Sequence, residues 1–289
     1  MQMDSKVAMV TGGAGGLGEG IAKVLAQRGA DVAVADIDLH GAEEVARQLA
    51  QYGHKARAYR ADVTSRDRLQ ETVETILAEF GRIDVLVNVA GVIAATGFED
   101  TVTSREEDWD VTFTVNVKGK VLASEAVAEH MMKRGAGKIV NIASHAGRGE
   151  EQEAALTVRR RAAVIHLTQS FALELAPHSI NVKVVCPGTI WTPMWERIAE
   201  RDRRNDPKKT NLTGRQIFDQ AILGGVLLSA SKLLKTSEKP LRSSRRTMPL
   251  ISRDSPSLRC RWSASASCCP SAAHRCTTAR LRLQSASWS

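Results

Sequence analysis

From Thr11 to Gly18 the chain reads Thr-Gly-Gly-Ala-Gly-Gly-Leu-Gly, five glycines in eight positions. It follows the apolar run Val7–Val10 and leads into a helical pattern. Glycine inside regular structure costs about 0.5–1 kcal/mol, so such density belongs where a chain turns tightly or another group must approach the backbone. A strand, a glycine turn and a helix start together gather unpaired N–H groups and positive potential at one point, which suits a pyrophosphate. The plainer alternative is a glycine-rich turn that holds nothing. Asp36 ends the second apolar run, Val32–Ala35, where a carboxylate can accept from both ribose hydroxyls and repel a 2′-phosphate. This favours NAD over NADP as the cofactor, against the competing reading of a solvated acid at a strand end.

Further apolar runs lie at Ile83–Asn88, Ile139–Ile142 and Val182–Val185, with a weaker one at Ala56–Arg60. They lack strict alternation, as parallel strands covered on both faces do. Helical periods separate them. Leu17, Ile21, Val24 and Leu25 share one face of a first helix. Leu69, Val73, Ile76, Leu77 and Phe80 do so in a third, with Thr64 or Ser65 as its cap, and Val164, Leu167, Phe171 and Leu175 in a fifth. The expected fold class is α/β, a doubly wound Rossmann fold with a parallel sheet. It forms a single domain over 1–231, followed by an irregular tail over 232–289.

The formal charge of +8 raises a nucleic-acid reading, which its distribution weakens. Residues 232–289 hold 3 Lys and 9 Arg against 2 acidic residues, a net +10 that leaves about −2 for residues 1–231. Four of the five cysteines also fall in the tail, in no spacing expected of a metal site, and Cys186 alone is in the body. The arginines at 201, 203 and 204, with Lys208 and Lys209, read as a solvated helix face without the aromatics a nucleic-acid surface needs. No membrane contact and a cytoplasmic location are expected, because no run of 18 apolar residues and no leader pattern occurs.

The spacing T-G-x-x-x-G-x-G resembles that of the short-chain dehydrogenase/reductase family, and further matches follow in order. Asp62-Val63 is similar to the family's adenine-contacting pair. Asn88-Val89-Ala90-Gly91 is similar to its N-N-A-G element, with Val89 for the second Asn. Asn116 falls where the family keeps an Asn, inside the fourth helix, that orders a relay water. Ser144 stands at the substrate-binding Ser, and Pro187-Gly188-Thr189 with Thr192 resembles the loop over the nicotinamide. The resemblance implies an NAD-dependent oxidoreductase acting on a small secondary alcohol or ketone, assembled as a homotetramer. It implies cofactor contacts from Thr11, Gly12, Gly16, Leu17, Gly18, Asp36, Asp62, Val63, Asn88, Ala90, Gly91, Pro187, Gly188, Thr189 and Thr192, and no metal.

The catalytic segment departs from that pattern. The family places a Tyr thirteen residues after the Ser and a Lys four residues later, and here those positions hold Thr157 and Arg161. An aliphatic hydroxyl is a far weaker acid than a phenol of pKa ~10, and the guanidinium fork of Arg replaces an ammonium poorly. Leu156–Arg161 can be encoded CTT ACA GTG CGT CGA AGG. Read from the last base of the Leu codon, this gives TAC AGT GCG TCG AAG, the family's Y-S-A-S-K. Residues 235–257 pass the same test. Their shifted frame can read D-I-R-K-A-V-A-F-L-A-S-D-D-A-A-N-I-T-G-Q-S-L, similar to the family's last helix and seventh strand. Two shifts of reading frame are therefore expected, against the alternative of a divergent tail and an inactive site.

His145 and His178 read as loop residues rather than bases. Trp191, Met194 and Trp195 either line a substrate pocket or pack a lid, and the pattern leaves both open. Two rival functions remain: an inactive dinucleotide-binding protein, and a nucleic-acid binder using the basic tail.

Overall fold

The structure, a computed structural model, describes residues 2–144 and 155–223, and of 155–161 the backbone alone. His145, the expected boundary at residue 231, the basic tail and the second frame-shifted segment lie outside these residues.

Six strands form one parallel sheet: β1 Val7–Thr11, β2 Asp31–Asp36, β3 Ala56–Arg60, β4 Val85–Asn88, β5 Gly137–Ile142 and β6 Ile180–Val185. Their order is β3-β2-β1-β4-β5-β6, so the Rossmann expectation holds, the weak Ala56–Arg60 strand included. Between them run α1 Gly16–Gln27, α2 Leu39–Leu49, α3 Arg66–Phe80, α4 Glu106–Phe113, α5 Gly119–Arg134 and α6 Ala155–Leu175, and α7 Pro193–Asn205 follows β6. A final helical segment spans 214–223.

Both faces of the sheet are covered, which is why its strands read as unbroken apolar runs. Ala8, Val10, Val85 and Val87 pack with Ala22 and Ala26 of α1 and with Ala42 and Val45 of α2. Met9 and Leu86 face the other way, toward Leu69, Val73 and Ile76 of α3 and Leu122 and Val127 of α5. Each of these larger side chains contributes roughly 1.5–3 kcal/mol through burial. Helix α3 keeps its expected face, with Ser65 as the cap accepting from Arg68 N at 3.4 Å.

Helix α1 does not bury the face its large residues suggested. Gly18, Ala22 and Ala26 are its buried positions, Ile21 and Leu25 are half-buried, and Val24 is 52% exposed. Small residues let the helix sit close against β1 and β2, so the larger ones are pushed to the flank.

Asp84, just before β4, ties three elements together. One carboxylate oxygen accepts from the buried Val7 N–H at 2.9 Å; the other accepts from Arg82 and, at 3.1 Å, from Arg134. Burial pushes this carboxyl up, but the Arg82, Val7 and Arg134 hydrogen bonds outweigh it and hold it below the usual carboxylate range. Asp84→Ala strands the Val7 N–H and is expected to lower stability by about 1–3 kcal/mol. Urea denaturation measures this, and an unchanged midpoint would show that the cluster contributes nothing.

Candidate functional site

A cleft of about 490 Å³ opens at the C-terminal ends of β1 and β4, where the strand order reverses. Its floor is the glycine segment. Gly12 has φ +69°, and a Cβ there would lie 2.6 Å from Ala90 N. A Cβ on Gly18 would lie 1.9 Å from Gly12 O, so the turn closes only without side chains. No side chain caps the start of α1, which leaves its first N–H groups and its dipole facing the cleft. Asp36 stands beside them. One of its oxygens accepts from Ala14 N and the other from Asp38 N, each at 3.0 Å. Each oxygen keeps a further lone pair for a ligand hydroxyl.

The wall is the strip from Asn88 to Val92. Ala90 N donates to Thr11 O at 3.0 Å. Asn116 clasps Val92 twice, accepting from its N–H at 2.7 Å and donating to its carbonyl at 2.8 Å. Asn116 sits inside one unbroken helical run, as expected, on a π-turn, Thr114–Lys118, that joins α4 to α5. Such bulges re-aim side chains and recur at functional sites. One turn on, Lys120 Nζ donates to Asn88 O at 3.1 Å and Ala90 O at 3.0 Å. Burial pulls its pKa down to about 7.

Pro187, Gly188 and Thr192 to Trp195 close the far side. Met194 and Trp195 both line the cleft, and Met194 also packs on Ile93, Ala94 and Phe98. Trp191 and Trp195 meet Phe218 edge-on at 5.1 and 5.2 Å. The arginines of α7 are more than a solvated face. Arg197 pairs with Glu99 and holds it below the usual carboxylate range, and Arg204 pairs with Asp100. Arg201 donates to Thr101 O at 2.7 Å and Val102 O at 2.6 Å. Together they dock α7 against residues 98–102.

Of the expected site residues, Gly12, Gly16, Leu17, Gly18, Asp36, Ala90, Gly91, Asn116, Ser144, Pro187, Gly188 and Thr192 line this one cleft. Positions 157 and 161 lie on α6, seven and three residues before Val164, a lining residue. Five others stand elsewhere. Thr11 is buried beneath the strip, and Thr189 is exposed on its loop. Asp62 accepts from Thr64 at the turn after β3. Val63 packs in the core, where it leaves room for no Cβ on Gly119. Asn88 donates to Asn141 Oδ1 at 2.9 Å and Ser124 Oγ at 3.1 Å, inside the fold. Lys120 and Val92 line the cleft without having been expected as site residues. The signal for Lys120 was a cation set directly before the apolar run Val121, Leu122 and Ala123, one helical turn past Asn116.

The family model for short chain dehydrogenases matches residues 6–203. The 3-oxoacyl-acyl-carrier-protein reductase of Thermotoga maritima is 36% identical over 203 residues, covering 70% of this chain and 81% of that protein. Galactitol 2-dehydrogenase of Agrobacterium fabrum is 39% identical over 197 residues, covering 68% of this chain and 75% of that one. Among solved structures, NAD+-bound xylitol dehydrogenase superposes with a TM-score of 0.65 at 32% identity, covering 72% of this chain and 80% of that one. Among the described residues no helix is long and apolar enough to cross a membrane.

Proposed function

The chain belongs to the short-chain dehydrogenase family, and from that premise we propose that its cleft binds NAD and serves hydride transfer to or from a small secondary alcohol or ketone. The observation that carries this is one continuous cleft from Asp36, over the glycine turn, to Ser144 and the Pro187–Thr192 loop. The glycine cradle fits a pyrophosphate, since a Cβ at Gly12 or Gly18 would collide with backbone. The N–H groups of α1 would hold the phosphates, and Asp36 the adenosine ribose. NAD, when bound, supplies the hydride acceptor. Ser144 would donate its hydroxyl to the substrate oxygen. Asn116 gives one N–H and one lone pair to Val92, which fixes the strip, and would hold a relay water beside it. Proton transfer falls to position 157, supported from position 161.

Thr157 and Arg161 favour a second reading, a protein that binds the dinucleotide without turning substrate over. In either case we place the protein in the cytoplasm, and as a homotetramer once its C-terminal frame is restored. Nucleic-acid binding through the basic tail is the weakest reading, and salt-dependent binding of random DNA would revive it.

Isothermal titration with NADH and NADPH tests the cofactor. The chain is expected to prefer NADH, and Asp36→Ala to lose most of that preference. Tighter binding of NADPH by the unaltered chain would contradict the assignment.

A further inference from the structure

Lys120 is a cation where an apolar residue would cost less. Its residue is 4% exposed, and the network beside it, Asn88, Ser124, Asn141 and Thr168, is neutral. No carboxylate among the described residues forms an ion pair with it; Asp36 and Asp38 stand across the cleft by the glycine turn. An ammonium has three N–H donors, and two are spent on Asn88 O and Ala90 O. The side chain nevertheless lines the cleft, with Ala90, Gly91 and Asn116. Burying a charge without a counter-ion is costly, so a purely packing role would be met better by Met.

We infer that Lys120 is a positioning residue that ties the Asn88–Ala90 strip to α5 and biases the cleft toward the reduced form of its dinucleotide. The inference rests on the dinucleotide reading and adds a direction to it. The oxidised nicotinamide ring carries one positive charge more than the reduced ring. A nearby buried cation repels the first and leaves the second almost untouched, and burial of the ammonium weakens the solvent screening of that repulsion. The carbonyls of Asn88 and Ala90 keep the ammonium in place, so its field is fixed before any ligand arrives.

The test is fluorescence titration of the full chain and its Lys120→Met and Lys120→Gln variants with NAD+ and with NADH, at pH 6 and pH 9. At pH 6 the unaltered chain is expected to favour NADH, and loss of the charge to shift the ratio of the two dissociation constants about 10-fold toward NAD+. Raising the pH to 9 should produce the same shift in the unaltered chain and none in the variants. Circular dichroism of each variant checks its fold, and the unaltered chain's own pH response decides the matter if both variants unfold. Equal weakening of both ligands, with the ratio unchanged, would overturn this inference alone and leave a structural clasp. Failure of the unaltered chain to bind either form would overturn the dinucleotide reading and the inference with it.

Discussion

Thr157→Tyr combined with Arg161→Lys, in a chain with its C-terminal frame restored, is expected to raise NAD-linked oxidation of a secondary alcohol by about 10²–10⁴-fold. The size follows from what the two positions lack. A Thr hydroxyl cannot act as an acid or base near neutral pH, whereas a phenol of pKa ~10 can be brought toward working pH by an adjacent ammonium. Both positions lie on α6, seven and three residues before the cleft-lining Val164. The remaining parts, Ser144, Asn116 and the glycine cradle, are already in one cleft. A broad panel of alcohols followed by NADH absorbance measures the gain. Each single change should give little, because the phenol needs its ammonium. A doubly changed chain that binds NADH yet oxidises nothing on the panel would remove positions 157 and 161 from the mechanism and favour the binding protein.

Reading residues 235–257 in the shifted frame is expected to convert a poorly soluble chain into a stable, monodisperse oligomer. Among the described residues β6 ends the sheet and pairs only with β5. Val185 at its end is 47% exposed, and Leu173 on α6 is 80% exposed. An uncovered apolar edge offers free N–H and C=O groups to any other strand, which promotes association. A seventh strand would pair that edge, and a helix before it would cover apolar surface worth ~25 cal/mol per Å². Size-exclusion chromatography of both chains decides this, and a monodisperse product from the written sequence would make the divergent tail the better account. The nucleotide sequence across codons 150–162 and 225–235 checks the frame directly.

The sheet was legible because its strands are short, β-branched and covered on both faces, so pattern and burial coincide. The glycine turn was legible for a stronger reason. At Gly12 and Gly18 any other residue would drive a Cβ into backbone, so local sequence there is a direct record of tertiary contact. Asp36 was readable from its place at the end of β2, though its hold on Ala14 N was not. Where the reading fell short, distant residues decided. The inner face of α1 is Gly18, Ala22 and Ala26 because two strands press close, which the larger residues of the helix disguise. The turn that Asp62 holds and the core that Val63 joins are likewise contacts that a motif match does not carry.

Sequence alone therefore determined the order of strands and helices along the chain, the glycine turn and the mismatch at positions 157 and 161, since each depends on spacing along the chain. Only the tertiary structure decided which charges are buried and what they touch. No motif in the sequence sets Lys120 apart from the chain's other lysines. Folding instead puts its amine between two carbonyls 32 and 30 residues away and removes the water that would hold its proton. The arginines of α7 look like a solvated face for the same reason, and become a clasp because Glu99 and Asp100 come within reach across nearly a hundred residues. Burial and long-range pairing are properties of the packed chain, and no local pattern carries them.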